Sequence, residues 1–398
     1  MADVDPPSVT PARLQERIDA GDPVRVLDLR NRDEVERWRL SGPSVTVSQK
    51  PNARFIQARV TDSVEQFVAD VDGEGPITAV CARGEASADV AATLVERGYD
   101  ARNLAGGMEA WARLLTATEI ADGATESASP GDASGSGATV VQYRRPASGC
   151  LGYAVYAGGE AAVVDPLRAF ADRYVADARE RGASIEYAVD THVHADHLSG
   201  VRALAGATGA EPVLPAAAAD RGATFDVTTV TDGDALAVGD SNLTAVAAPG
   251  HTTGMTAFAV GDVLLTGDSL FVESVARPDL ERGADGARAL ARDLYRTLTE
   301  RFARFPDRTL VAPGHHGDGA TPDGDGACVA RLGDLRGTRP FSMSEAAFVD
   351  YVTGDMPPRP ANFERIIAVN LGRESVDADE AFELELGPNN CAAAAAPE

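Results

Sequence analysis

Two residue types, lysine and cysteine, are scarce in this sequence, and the spacing of the cysteines excludes two kinds of cysteine-based site. Lysine occurs once, at Lys50, among 36 basic residues. Cysteine occurs four times in 398 residues and forms no CxxC pair. Disulfide frameworks and zinc ribbons need paired or closely spaced cysteines, so the sequence indicates neither of them.

Basic charge is also scarce relative to acidic charge. The formal net charge is -25 at pH 7. Nucleic-acid binding depends on clustered lysine and arginine, so we expect no nucleic-acid partner. We interpret the acidic excess as a strongly hydrated surface, suited to a salt-rich cytoplasm where ions screen the self-repulsion, rather than as an acidic binding face.

Long apolar runs are the third absence. No run approaches the roughly 18 residues that a membrane helix needs. The first ten residues, "MADVDPPSVT", lack the basic and then apolar order of a secretory signal. We therefore expect a soluble cytoplasmic protein with no membrane partner, and a homodimer is compatible with the sequence.

The length of the chain predicts two domains, because 398 residues exceed what one ordinary core organises. Residues 116–138 read "TATEIADGATESASPGDASGSGA", which is small, polar and without a hydrophobic period. Such a stretch buries too little to order itself, so it predicts a flexible linker. The predicted domains are residues 8–115 and residues 139–398, the latter including a C-terminal extension.

The first domain has the pattern of an α/β fold. The runs "VRVLDLR" (24–30) and "ITAVC" (77–81) read as buried strands. The segment "ADVAATLVERGYD" carries apolar residues at helical spacing and ends near Gly98. Strands that alternate with helices predict a parallel sheet flanked by helices.

The second domain contains more strands, and ligand-type residues follow them. We predict a hairpin over 152–165, a helix over 167–182 and a strand over 185–191. Four further strands are predicted in "NLTAVAAP", "MTAFAV", "DVLLTGD" and "TLVAPG". Side chains at the ends of core strands are held rigidly, so these ends are suitable positions for a functional site.

All six histidines lie in three short segments that follow predicted strands. Neutral imidazole and carboxylate are preferred ligands of zinc and iron, so the pattern indicates a metal site. Turn-stabilising histidines and chance clustering are the alternatives, but three segments with the same placement favour metal binding. The residues concerned are His192, His194, His197, His251, His315 and His316, together with Asp196 and Asp268.

The motifs "THVHADH", "APGHT", "LLTGDSLF" and "APGHH" resemble those of the metallo-β-lactamase superfamily, in the same order. The resemblance extends from about Val140 to Gly372. It implies an α+β fold, the αββα sandwich, with a metal site at one edge between the two sheets.

Within that superfamily the resemblance allows two metal centres. A two-zinc thioesterase similar to glyoxalase II would use all the candidate ligands. Its first ion would be held by His192, His194, His251 and Asp268, and its second by Asp196, His197, Asp268 and His315.

The run after Asp268 resembles the persulfide dioxygenases instead, in which an Arg-x-Asp follows the metal aspartate. That resemblance implies a single Fe(II) on His192, His251 and Asp268, with open coordination positions for other ligands. The remaining candidates, His194, Asp196, His197 and His315, would then surround the ion, steer water and fix ligand tautomers.

The Arg-x-Asp is Arg277-Pro278-Asp279 in this chain. The resemblance assigns Arg277 and Asp279 to substrate binding. From the residues alone, Arg277 could equally pair with Asp279, so both roles stay open. The family usually has glycine at the position of Ala276.

Cys81 lies where a predicted strand turns into a predicted helix. Backbone N–H groups and a helix N-terminus favour a thiolate at such a position, although a small buried core cysteine is an equal alternative. Residues 8–115 resemble a single rhodanese domain, which implies that Cys81 carries sulfur. Arg83 is the loop's only cation, and the implied cradle is Ala82, Arg83, Gly84, Glu85, Ala86 and Ser87.

Together the resemblances imply sulfane-sulfur metabolism. Fe(II) and O2 would oxidise a low-molecular-weight persulfide to sulfite and a free thiol, while Cys81 exchanged sulfur with acceptors such as sulfite or thiosulfate. Two alternatives remain. One is the two-zinc thioesterase with an accessory rhodanese domain, and the other is a non-catalytic sulfur carrier or regulatory protein.

Overall fold

A computed structural model describes residues 6–122, 137–317, 320, 322–354 and 356–385. Its strands form three sheets of five, seven and six strands. Within these residues, no helix combines the length and the apolar character needed to span a membrane.

The N-terminal domain is a parallel sheet flanked by helices, as predicted. Its strand order is β1-β5-β4-β2-β3, and every neighbouring pair is parallel. The strands are β1 (Ser8–Val9), β2 (Val24–Asp28), β3 (Val45–Gln49), β4 (Ile77–Val80) and β5 (Ala101–Leu104). The helices are α1 (Pro11–Asp19), α2 (Arg32–Arg37), α3 (Asn52–Val60), α4 (Val64–Val68), α5 (Glu85–Glu96) and α6 (Gly107–Ala112).

The C-terminal domain contains the other two sheets. The seven-stranded sheet has the order β12-β11-β10-β9-β8-β7-β6, and the six-stranded sheet runs from β13 to β18 in sequence order. The first consists of β6 (Thr116–Ala121), β7 (Thr139–Arg145), β8 (Cys150–Ala157), β9 (Glu160–Val164), β10 (Ser184–Val189), β11 (Glu211–Pro215) and β12 (Thr228–Val230). The second consists of β13 (Ala235–Val238), β14 (Ser241–Ala247), β15 (Thr256–Val260), β16 (Val263–Gly267), β17 (Leu310–Pro313) and β18 (Ala330–Arg331).

The two sheets pack face to face around one apolar core. Alternate residues of both sheets enter it, for example Val155 of β8 and Phe258 of β15, both fully buried. Helices cover the outer faces, which gives the predicted αββα sandwich. The helices of this domain are α7 (Ala171–Glu180), α8 (Val201–Thr208), α9 (Ala216–Ala219), α10 (Gly283–Arg296), α11 (Leu332–Arg336), α12 (Arg339–Ser342), α13 (Glu345–Gly354), α14 (Phe363–Asn370) and α15 (Ala378–Leu384).

The predicted linker over 116–138 is wrong at its start. Residues Thr116–Ala121 form β6, which pairs antiparallel with β7 at the edge of the seven-stranded sheet. The pairing satisfies the backbone groups of a segment that has little apolar side chain to bury. Residues 123–136 of the predicted linker, and residues 386–398 of the predicted extension, lie outside the described residues.

Contacts join the two domains directly. The indole nitrogen of Trp38 donates a hydrogen bond to the carbonyl oxygen of Ala147 at 2.8 Å. The guanidinium of the largely buried Arg144 pairs with Asp19 at the end of α1. These bonds satisfy polar groups that the interface removes from water, so they fix how the two domains meet.

Candidate metal centre

The candidate ligands converge because four core strands end at one edge of the sandwich. The histidine-rich segment follows β10, and His251 lies between β14 and β15. Asp268 follows β16, and His315 follows β17. The strands are buried apolar runs that fix where each segment begins, so residues far apart in sequence are held near one another.

His192, His251 and Asp268 form a compact group of ligand atoms. Asp268 Oδ2 lies 3.7 Å from His192 Nε2 and 3.7 Å from His251 Nε2. Ligand atoms of one zinc or iron ion lie about 2.1 Å from it, so they stand within about 4.2 Å of each other. Both His192 Nε2 and Asp268 Oδ2 are buried with no hydrogen-bond partner. The donor set and its spacing therefore fit a metal ion.

Hydrogen bonds set the tautomers of both histidines. The Thr191 hydroxyl donates its one hydrogen to Asp165 Oδ2 at 2.9 Å, so it accepts from His192 Nδ1–H, also at 2.9 Å. His251 Nδ1–H donates to the carbonyl oxygen of Arg277 at 2.9 Å. Each Nε2 is consequently left with a lone pair, as a metal ligand requires.

The electrostatic environment favours neutral imidazoles and an ionised carboxylate. Burial and the neighbouring His194 hold the pKa of His192 well below its usual value. Burial likewise lowers the pKa of His251. Burial would raise the pKa of Asp268, but His315 overcomes this effect and lowers it. The group is therefore in the protonation state that binds a metal ion.

His194 has one ring nitrogen bonded to a carboxylate, while its other ring nitrogen, Nδ1, is buried with no hydrogen-bond partner. Its Nε2 lies 3.0 Å from Asp165 Oδ1 and 3.7 Å from Asp190 Oδ1. Asp165 also accepts the backbone N–H of Thr191 at 2.7 Å. His194 therefore supports the loop that carries His192.

His315 joins two carboxylates. Its Nδ1 lies 2.5 Å from Asp268 Oδ1, and its Nε2 lies 2.9 Å from Asp196 Oδ2. Burial disfavours the imidazolium, but Asp268 and Asp196 raise the pKa of His315 well above its usual value. Both nitrogens of His315 thus donate in this arrangement, which fixes Asp268 Oδ1 and leaves Oδ2 free to face the metal group.

A second group of potential ligands lies beside the first. Ligand atoms of Cys150, Asp196, His197 and His315 all lie within 4.8 Å of one another. His197 Nδ1 lies 3.2 Å from Asp196 Oδ2, and Cys150 Sγ lies 3.5 Å from the same oxygen. The sequence predicted no role for Cys150. Its backbone bridge to His315 joins segments that are distant in sequence, so no local pattern could have identified it.

Arg277 pairs with Asp279, which is one of the two roles predicted for it. Its Nε and one terminal nitrogen donate to the two oxygens of Asp279 at 2.7 and 3.1 Å. Its other terminal nitrogen donates to the carbonyl oxygen of Pro358, and the side chain is 1% exposed. Arg277 therefore holds the loop whose carbonyl orients His251.

Cys81 lies in a cradle of backbone donors at the start of α5. The N–H groups of Gly84 and Ser87 point at Sγ from 3.1 and 3.4 Å, and the Ser87 hydroxyl lies 3.2 Å away. Gly84 has φ +90°, and a Cβ there would lie 2.8 Å from the backbone nitrogen of Gly106. The loop therefore requires glycine at this position, and its shape is suited to holding a thiolate or persulfide.

The remaining loop residues are less closely engaged with Cys81. Arg83 is exposed and pairs with Glu109 at 2.9 Å. Ala82 and Glu85 are exposed, and Ala86 is half-buried. Asn103, which the sequence did not indicate, lies 2.7 Å from the Ser87 hydroxyl and supports the cradle from β5.

Comparison with known proteins finds a separate family model for each half of the chain. Residues 10–114 match the rhodanese-like domain model, and residues 145–315 match the metallo-beta-lactamase superfamily model. The human mitochondrial persulfide dioxygenase ETHE1 is 29% identical over 216 residues, which are 53% of this chain and 78% of that protein. A hydroxyacylglutathione hydrolase of a Polaromonas species is 35% identical over 161 residues, 39% of this chain and 57% of that enzyme.

A solved structure extends the comparison. The crystal structure of ETHE1 from Myxococcus xanthus is 28% identical, with a TM-score of 0.52, and the match covers 58% of this chain and 98% of that one. The chain therefore joins a rhodanese-like domain to a metallo-beta-lactamase superfamily domain of the persulfide dioxygenase-like branch.

Proposed function

We propose that this protein is a persulfide dioxygenase with one Fe(II) held by His192, His251 and Asp268. The observation that carries the proposal is the group of three converging ligand atoms, two of them buried without partners. Two imidazoles and one carboxylate are the ligand set of mononuclear non-haem iron oxygenases. The relatives named persulfide dioxygenase favour this chemistry over others on the same fold.

The reaction converts R–S–SH, O2 and H2O into R–SH, sulfite and two protons. The outer sulfur loses four electrons, and O2 gains them. When bound, the ferrous ion supplies open coordination positions for O2 and the persulfide sulfur. The chain holds its ligands in one protonation state through Thr191, His315 and the Arg277 carbonyl.

Asp196 is suited to directing the water that hydrolyses the oxidised sulfur. Its Oδ1 is buried without a hydrogen-bond partner, while its Oδ2 is engaged by His197 and His315. Burial would raise the pKa of Asp196, but His315 and His197 hold it well below its usual value. The carboxylate is therefore ionised and able to accept a hydrogen bond from water.

We also propose that Cys81 carries sulfane sulfur. Sulfite or a thiol would exchange sulfur with Cys81–S–SH, and the departing sulfur of Cys81 would be stabilised by the N–H groups of Gly84 and Ser87. Arg83 then assists only from the rim of the loop, because it pairs with Glu109.

A two-zinc thioesterase is the second candidate, and one observation favours it. Cys150, Asp196, His197 and His315 form a second potential ligand group beside the first. The hydrogen bonds that engage both ring nitrogens of His315 with carboxylates favour a single ion instead.

Metal analysis and oxygen uptake distinguish these candidates. Protein purified without oxygen should contain one iron per chain and should consume O2 when cysteine persulfide is added. Two zinc ions per chain, no oxygen uptake and hydrolysis of an acyl thioester would identify the thioesterase. Sulfur loading of Cys81 without turnover at the metal would identify a sulfur carrier.

A further inference from the structure

A cavity of about 410 Å³ lies between the two domains and belongs to neither candidate site. Its walls come from the end of α6, from β7, from the turn before α7 and from α15. It is lined by Ala112, Arg113, Arg145, Arg168, Ala169, Phe170, Ala378, Ala381, Phe382 and Glu385.

The lining of this cavity is cationic in a strongly acidic protein. Three arginines face a single carboxylate, Glu385, although the whole chain carries -25. Arg145 pairs with Glu385 at 2.6 Å. Arg168 donates to the carbonyl oxygen of Val376 at 2.9 Å, and among the described residues no carboxylate forms an ion pair with it. Positive charge therefore remains for an anion.

Apolar surface accompanies this charge. The Arg113 guanidinium lies 4.8 Å from the centre of the Phe382 ring, and the Arg145 guanidinium lies 5.6 Å from that of Phe170. These stacked side chains place apolar ring surface beside the cationic groups of the cavity wall. The cavity therefore suits a short aliphatic chain that carries acidic groups.

A smaller cleft of about 160 Å³ lies beside the Cys81 loop, and Phe382 lines both spaces. Ala82, the residue after Cys81, and Glu109 are in its wall. Glu109 and Arg113 are one helical turn apart, with their charged atoms separated by 3.9 Å. Phe382 is thus shared by the wall of the cavity and by the wall of the cleft beside the Cys81 loop.

We propose that this cavity binds the acidic tail of the low-molecular-weight thiol that exchanges sulfur with Cys81. The inference rests on the sulfurtransfer proposed for Cys81. In that step, Cys81–S–S⁻ and R–SH give Cys81–S⁻ and R–S–SH. One S–S bond breaks, one forms, the thiol proton moves to the new persulfide, and no external oxidant or reductant is needed.

The first test measures sulfurtransfer by the full-length protein after loading with thiosulfate. Mercaptosuccinate is the acidic acceptor, and 2-mercaptoethanol is the neutral one. We expect Arg168→Gln to lower kcat/KM for mercaptosuccinate, relative to that for 2-mercaptoethanol, about tenfold. The reason is the loss of the bond between the guanidinium and a carboxylate of the acceptor. Arg168→Lys should restore most of the ratio. Arg288→Gln, at an exposed ion pair with Asp350, is the matched control and should leave it unchanged.

The second test measures binding of succinate, which has no thiol, by calorimetry. Succinate should bind once per chain, and Arg168→Gln should weaken its binding about tenfold, whereas inorganic phosphate should bind less tightly. Equal succinate binding by the wild type and Arg168→Gln, or an unchanged acceptor ratio, would overturn the inference. Failure of Cys81 to accept sulfur in a wild type that binds succinate would instead refute the sulfurtransfer.

Discussion

The two candidate sites are built in opposite ways. The metal centre takes side chains from four strand ends that are up to 123 residues apart, from His192 to His315. The Cys81 cradle takes backbone N–H groups from one loop of seven residues, from Cys81 to Ser87. A side-chain site depends on the whole sandwich and can lose one ligand at a time, whereas a backbone site depends on the local shape of its loop.

Asp268→Ala should produce the largest difference between the metal centre and the Cys81 cradle. It removes both a ligand and the partner of His315 Nδ1, so we expect loss of bound metal and of oxygen uptake. Sulfur loading of Cys81, measured by mass spectrometry, should persist. Full oxygen consumption by this variant would refute the ligand assignment.

Cys81→Ser should produce the reverse result. The hydroxyl fits the cradle but is a poor nucleophile, so sulfurtransfer from thiosulfate should fall below detection. Metal content and oxygen uptake with cysteine persulfide should stay at wild-type values. An equal loss of oxygen uptake would mean that the two sites do not act independently.

His194→Gln tests whether the metal centre has one ion or two. In the proposed single-ion site His194 only supports the ligands through its Nε2 bond to Asp165, so we expect metal affinity to fall by about 10- to 100-fold, as when a supporting partner is lost. His192→Gln should abolish binding. Metal titration should distinguish the variants, and equal loss in both would indicate that His194 is itself a ligand.

Asp19→Asn, at the interface between the two domains, should have the smallest effect, and this effect should be on stability. It leaves the buried guanidinium of Arg144 without a carboxylate, so urea denaturation should give a loss of about 1–3 kcal/mol. Asp89→Asn, at the exposed pair with Arg59, is the control and should cost under about 1 kcal/mol. Equal losses would show that the interface pair adds no stability.

The sequence predicted those parts of the molecule that depend on buried apolar runs. The runs that form β16 and β17 are almost wholly buried, and β10 ends in the buried pair Ala188 and Val189, so the histidines and aspartate that follow these strands had to lie at strand ends. Strand order and register determined which of these side chains meet, and those depend on contacts between distant segments. For this reason the direction of His194 and the neighbours of Cys150 could not be predicted.

The missed strand β6 has a different cause. Its residues "TATEIA" are partly exposed and carry few large apolar groups. An edge strand of this kind is stabilised by backbone pairing with β7, which a local pattern does not reveal. Arg277 illustrates the same limit, because its spacing to Asp279 was compatible with two roles.

The position of β6 also bears on how the two domains are joined. The chain leaves the first domain at Leu115, which packs into an apolar cluster of the second domain, and enters the shared sheet at the next residue. The first six residues of the predicted linker, Thr116–Ala121, are therefore a strand paired with β7. The rhodanese-like domain is accordingly joined to the second domain at a strand that is paired into the shared sheet, so the chain between Leu115 and Ala121 is held in place by backbone hydrogen bonds.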